Sequence, residues 1–128
     1  MIVLDTDVLI EILNKRSRRG EDAVEVLKSS DEDVVTTSIA IHEVQYGLEK
    51  RGKMNPDILR LRALPYTKGD AHLSAKLELL AEGDGTPIHR MDAMIASIAI
   101  NNGARLFTYN LSHYKPLQQH GLQLLEVH

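Results

Sequence analysis

The sequence predicts an α/β fold in three layers, with a central, mostly parallel β-sheet flanked by helices in a single domain. Two patterns carry this expectation. Short apolar runs without alternation, such as Ile2-Val3-Leu4, are what strands of a sheet covered on both faces look like. Such runs alternate along the chain with longer segments of helical period, the order that builds βαβ units. A third feature concerns chemistry: Asp5, Glu43 and Asp92 each stand alone inside an apolar stretch.

Ile2-Val3-Leu4 is the first predicted strand. Val8, Leu9, Ile12 and Leu13 follow at helical spacing, with Thr6 as N-cap. Gly20 punctuates the chain before a second helix over 21–28, where Ala23, Val26 and Leu27 are apolar. Residues 33–37 form a second strand, rich in β-branched side chains. Ser38 then caps a helix over 39–50, which Gly52 ends. Asn55-Pro56 opens a short helical piece through Leu61, and Pro65 confines the weak strand 64–67 to an edge or a connector. A helix over 70–81 precedes the breaker-rich loop 82–87. The helix over 90–102 stops at Gly103, and 105–108 and 122–127 are the last two strands. No internal repeat, low-complexity tract or domain boundary interrupts this order.

With 128 residues, the chain forms one domain that buries roughly two thirds of the surface its unfolded form exposes. The absence of cysteine excludes disulfides, thiolate zinc sites and a cysteine nucleophile. Apolar runs are too short for a membrane span and the first residues lack a basic region, so the expected place is the cytoplasm, away from membranes. A net charge of −3 argues against a protein held to nucleic acid by its overall charge. Local basic patches remain: Lys15-Arg16 with Arg18-Arg19, and Lys50-Arg51 with Lys53, both equally readable as solvated helix ends.

An unpaired carboxylate is costly to bury, so an acid in apolar surroundings implies a partner, a proton or a metal. Asp5 directly follows the first strand, at the edge where α/β sheets gather their ligands. Glu43 lies in the second turn of the helix after the second strand, and helical spacing aligns it with Ile39, Tyr46 and Gly47. Asp92 lies in the first turn of its helix, on a face with Ile95, Ala96 and Ala99. One such acid is explained by the helix dipole or by chance patterning. Three at matching positions point to converging carboxylates, which bind hard cations. Asp7 and Glu11 are four apart and readable as solvated, though Asp7 is placed to hydrogen-bond into the site. The six histidines show no i, i+4 zinc pair, and His89 stands three residues before Asp92.

Across essentially its whole length the chain resembles a PIN-domain ribonuclease, of the short VapC type found as toxins of prokaryotic toxin–antitoxin pairs. The carriers are Met1-Ile2-Val3-Leu4-Asp5-Thr6-Asp7-Val8-Leu9-Ile10, Thr37-Ser38-Ile39-Ala40-Ile41-His42-Glu43-Val44-Gln45-Tyr46-Gly47, Asp92-Ala93-Met94-Ile95-Ala96 and Phe107-Thr108-Tyr109-Asn110-Leu111-Ser112-His113-Tyr114. The resemblance implies a PIN-like fold and a metal-dependent endoribonuclease in which Asp5, Glu43 and Asp92 hold Mg²⁺ or Mn²⁺, with Thr6 and Asp7 in support. It also implies a homodimer neutralised by a VapB-type antitoxin. A fourth family acid is expected near Asn110 or at His113, and neither is acidic. That departure leaves open one metal or two, and it is the sole support for an alternative: a PIN-like RNA-binding or scaffold module without turnover. The leucines of 54–64 and of the following helix exceed one helix stripe, which suits a dimer interface or a completed core equally.

Two other readings are weaker, one from Asp5-Thr6-Asp7 and one from the chain length with Lys115-Pro116. A phosphatase of the haloacid-dehalogenase type needs further late acids, and beyond Asp92 only Glu126 remains. A phosphorelay receiver needs a phosphoacceptor after a third apolar strand, and Asp57 follows no strand.

Overall fold

The computed structural model describes residues 1–13 and 17–127. Lys15 and Arg16 of the first predicted basic patch lie outside them. Five parallel strands form the sheet: β1 (Ile2–Leu4), β2 (Val34–Thr37), β3 (Ala63–Leu64), β4 (Arg105–Phe107) and β5 (Gln123–Leu124), in the spatial order β3-β2-β1-β4-β5. The helices are α1 (Thr6–Leu13), α2 (Arg18–Lys28), α3 (Ser38–Lys50), α4 (Lys68–Gly83), α5 (Arg90–Asn101) and the single turn α6 (Leu111–Tyr114). Short 3-10 segments cover Pro56–Arg60 and Lys115–His120.

Strand alternation divides the interior in two. Ile2, Leu4 and Phe107 face one side, against Val8 and Leu9 of α1, Ala23 of α2 and Val44 of α3. Val3, Val35 and Leu106 face the other, against Leu77 of α4 and Ile95 and Ile98 of α5. Apolar groups thus cover β1 on both faces, which is why its sequence shows no alternation, and each such side chain contributes roughly 1.5–3 kcal/mol on burial. The result is the predicted three-layer α/β arrangement. The chain lays β2 and β3 on one side of β1 and then returns to place β4 on the other. The switch point between β1 and β4 is where such sheets open a crevice beyond their strand ends.

Several local expectations are corrected. Gly20 does not break the chain. It sits buried inside α2, where a Cβ would stand 2.0 Å from the Glu11 carbonyl oxygen, so it permits close crossing of α1 and α2. The helix accordingly starts at Arg18, and Ser17 caps it by accepting a hydrogen bond from the Gly20 amide at 3.1 Å. Thr6 lies within α1 rather than capping it, since the Leu9 amide already donates to the Asp5 carbonyl at 3.0 Å. Thr37, not Ser38, caps α3 by accepting from the Ala40 amide at 3.0 Å. Gly52 and Gly103 do end their helices, with φ of 64° and 62°. The predicted strand 122–127 shrinks to Gln123–Leu124, and α6 with its 3-10 continuation occupies a stretch without an expected element.

The leucines in question are shared between core and surface. Ile58, Leu64 and Leu77 are buried, whereas Leu59 and Leu79 remain 83% and 69% exposed. No helix among the described residues is long and apolar enough to cross a membrane.

Candidate active site

The end of β1 delivers Asp5 into the crevice at the switch point. Its amide continues the ladder by donating to the Phe107 carbonyl at 2.9 Å, so the backbone is fixed from the neighbouring strand. Its carboxylate is buried, with Oδ1 accepting from the Thr6 amide at 2.8 Å and Oδ2 from the Thr108 hydroxyl at 2.7 Å. Burial is the largest influence on this acid, and the nearby Asp7 and Asp92 act in the same direction. Against the two hydrogen bonds, they raise its pKa from 3.8 to about 7.

Around Asp5 the other predicted residues take distinct places. The Thr6 hydroxyl donates to Glu43 Oε1 at 2.7 Å, which ties the first turn of α1 to α3. Asp7 accepts from its neighbouring Val8 amide at 2.7 Å and from the Tyr109 amide at 3.2 Å; burial raises its pKa against those bonds and the Arg19 charge. Asp92 Oδ2 lies 3.0 Å from His113 Nε2, and the His89 ring centroid is 6.3 Å from that of His113. Asn110 is exposed, and its amide donates to the Thr108 hydroxyl at 3.0 Å. Of the two candidates for the fourth position, His113 meets Asp92 and Asn110 does not.

Thr108 and Tyr114, which stand in the late sequence motif without an assigned role, complete the site. Thr108 follows β4 as Asp5 follows β1, and that matching position was the available signal. Tyr114 is 1% exposed, with its hydroxyl beside the Asp5 and Asp92 carboxylates. Burial, then the charges and hydrogen bonds of those two acids, push its pKa upward and keep it protonated.

Among the described residues, no three histidine, aspartate or glutamate side chains are already gathered closely enough to grip an ion. Glu43 is turned to Thr6 and Asp92 to His113. The donors nevertheless fit a hard divalent cation. They are carboxylate oxygens, Glu43 keeps one oxygen outside the hydrogen bonds described, and Asp5 is a buried carboxylate whose charge a cation would relieve. A cleft of about 390 Å³ lined by Glu43, His89, Arg90, Met91 and Asp92 gives access from solvent. Arg90 on its rim is engaged by Glu78, at 3.1 and 3.2 Å.

The sequence pattern of the PIN domain matches residues 2–116. The chain is 27% identical to Ribonuclease VapC2 of Rickettsia felis over 120 residues, covering 88% of this chain and 89% of the relative. Its fold superposes on the crystal structure of VapBC2 from Rickettsia felis, bound to a DNA fragment from their promoter, with a TM-score of 0.81, 26% identity and full coverage of both chains. It superposes equally, at 24% identity and a TM-score of 0.81, on FitAcB from Neisseria gonorrhoeae, covering 98% and 97% of the two chains.

Proposed function

This chain belongs to the PIN-domain family, and on that premise we propose that it is a metal-dependent endoribonuclease, the toxin of a VapBC-type toxin–antitoxin pair. The observation that carries the reading is the buried Asp5 carboxylate at the β1–β4 switch point, with Glu43 joined to it through Thr6 and Asp92 near enough to raise its pKa.

Asp5, Glu43 and Asp92 would hold Mg²⁺ or Mn²⁺. When bound, such an ion activates water at neutral pH and offsets the charge that develops on the phosphoryl group. The chain's own residues set the geometry for this. Thr6 and Thr108 orient Asp5 and favour its charged form, and Asp7 holds the Tyr109 backbone that carries Thr108 beside it. His113 orients Asp92, and with no acid at either His113 or Asn110 the site carries one negative charge fewer than the family pattern implies. Without a cation, several clustered carboxylates repel a phosphodiester, so cleavage requires the metal throughout.

The likeness to VapBC2 of Rickettsia felis supports a VapB-type antitoxin as partner; a homodimer as the working unit is part of the same reading and rests on the resemblance to the family. Exposed Leu59 and Leu79 are available for such contacts. Cleavage of single-stranded RNA with Mg²⁺, Mn²⁺ or EDTA tests the chemistry; undiminished activity in EDTA contradicts it. Co-expression with a short neighbouring antitoxin gene tests the pairing through relief of growth arrest. Binding of RNA without cleavage at any metal concentration would favour the scaffold alternative, for which His113 in place of an acid is the structural argument.

A further inference from the structure

We propose that the pocket between α2 and the turn joining β4 to α6 is a guanine-recognition subsite beside the cleavage centre, an inference that rests on the ribonuclease reading above. The pocket encloses about 290 Å³. This is at the small end of ligand cavities, with room for one heterocycle and none for a helix. Its inner surface is apolar, formed by Ala23, Val26, Phe107 and Leu125. Thr108 lines it and also donates to Asp5 at 2.7 Å, so one side chain separates the pocket from the buried carboxylate. The proposal seats in this pocket the base next to the phosphate held at the acids.

On one wall Arg19 and Tyr109 are stacked on each other, so a base would meet the outer plane of the pair. The Arg19 guanidinium carbon stands 3.7 Å from the centroid of the Tyr109 ring, and the Tyr109 hydroxyl donates to the Arg19 carbonyl at 3.1 Å. Proteins that read RNA sequence splay single-stranded bases onto aromatic or guanidinium planes and then bond their edges.

The polar groups on the wall choose the base. Asp22 stands exposed at the edge of the pocket, one helical turn from Arg19, and no hydrogen bond or ion pair among the described residues engages its carboxylate. A carboxylate only accepts. Guanine alone offers two adjacent donors, N1–H and the N2 amino group, which match two carboxylate oxygens. Adenine and cytosine bring one amino group, uracil one N–H. An apolar peptide side chain would fill the cavity without engaging the carboxylate at its edge.

Guanosine, inosine, adenosine, cytidine and uridine titrated into the isotope-labelled full chain in EDTA, followed by amide NMR shifts, test the pocket apart from any metal. The expected result is saturable shifts at Asp22, Ala23, Tyr109 and Leu111 with guanosine, bound about tenfold more tightly than adenosine. Inosine, which lacks the N2 amino group, and the Asp22→Asn variant should both lose that margin. In parallel, with Mn²⁺, oligoribonucleotides differing in one base beside the cut should show a guanine-to-adenine rate ratio of about ten that collapses in Asp22→Asn. Equal binding of guanosine and inosine, or selectivity unchanged in Asp22→Asn, overturns the proposal. So does a pocket that responds to an aromatic-containing peptide and to none of the nucleosides. Failure of the wild-type protein to cut any RNA overturns the ribonuclease reading instead, and the nucleoside titration then still decides for or against the pocket.

Discussion

Thr108 donates its hydroxyl to Oδ2 of Asp5 at 2.7 Å, bridging the ends of adjacent strands across 103 positions of sequence. The bond works against burial. Desolvation drives the Asp5 pKa up, and the hydroxyl holds part of that rise back. Thr108→Val keeps the shape and removes the donor. The expected outcome is a higher Asp5 pKa in the metal-free protein, seen as a shift of its carboxyl NMR titration to higher pH. Stability at neutral pH should fall by about 1–2 kcal/mol, measured by urea denaturation, because a buried acceptor loses its partner. An unmoved titration would show that the bond does not tune this acid.

Asp5 also makes a prediction about pH and stability in the absence of metal. Its folded-state pKa of about 7 lies above the ordinary 3.8, so the native state holds this proton more tightly than the unfolded chain does. The stabilisation is full below about pH 4 and is lost as pH rises through about 7. Asp5→Asn removes the ionisation and should raise thermal stability at pH 7.5 while flattening its decline between pH 4 and 7. A variant with the same pH slope as wild type would place the titrating group elsewhere.

His113 rather than Asn110 stands at Asp92, which separates two substitutions that the sequence left equivalent. His113→Asp should tighten Mn²⁺ binding in calorimetric titration, since added ligand charge favours a hard cation. Asn110→Asp, on an exposed residue, should leave it unchanged. The reverse pattern would mean that the fourth position has been misplaced.

Gly20 tests the packing of α1 on α2 away from the acids. A Cβ there meets the Glu11 carbonyl oxygen at 2.0 Å, backbone that cannot step aside cheaply. Gly20→Ala should therefore destabilise by about 1–3 kcal/mol despite the better helix propensity of alanine. An alanine variant as stable as wild type would show that the two helices can separate without cost.

Much of this was visible in the sequence because it depends on local pattern. The non-alternating Ile2-Val3-Leu4 run announces a strand covered on both faces, and Asp5, Glu43 and Asp92 stand out as charges where apolar residues are expected. What escaped depends on tertiary proximity. Gly20 looks like a breaker until α1 is seen to press against it. The α6 turn is too short to show a period. Thr108 is an ordinary strand-end threonine until β4 pairs with β1 and brings it to Asp5. Tyr114 stands in the sequence only as the end of the late motif, and its place beside Asp5 and Asp92 appears only in the fold.

If Asp5, Glu43 and Asp92 form one cation-dependent centre for cutting RNA, the three must fail together and the metal must be indispensable. The decisive experiment follows the rate of cleavage of a single-stranded RNA against Mn²⁺ concentration for the wild-type protein and for Asp5→Asn, Glu43→Gln and Asp92→Asn, each first shown to be folded by thermal melting. The expected wild-type rate rises from zero with Mn²⁺ and saturates, and every variant is slower by about a hundredfold or more. Wild-type cleavage without divalent cation, or a folded variant that cuts at the wild-type rate, would contradict a single metal centre built on these acids.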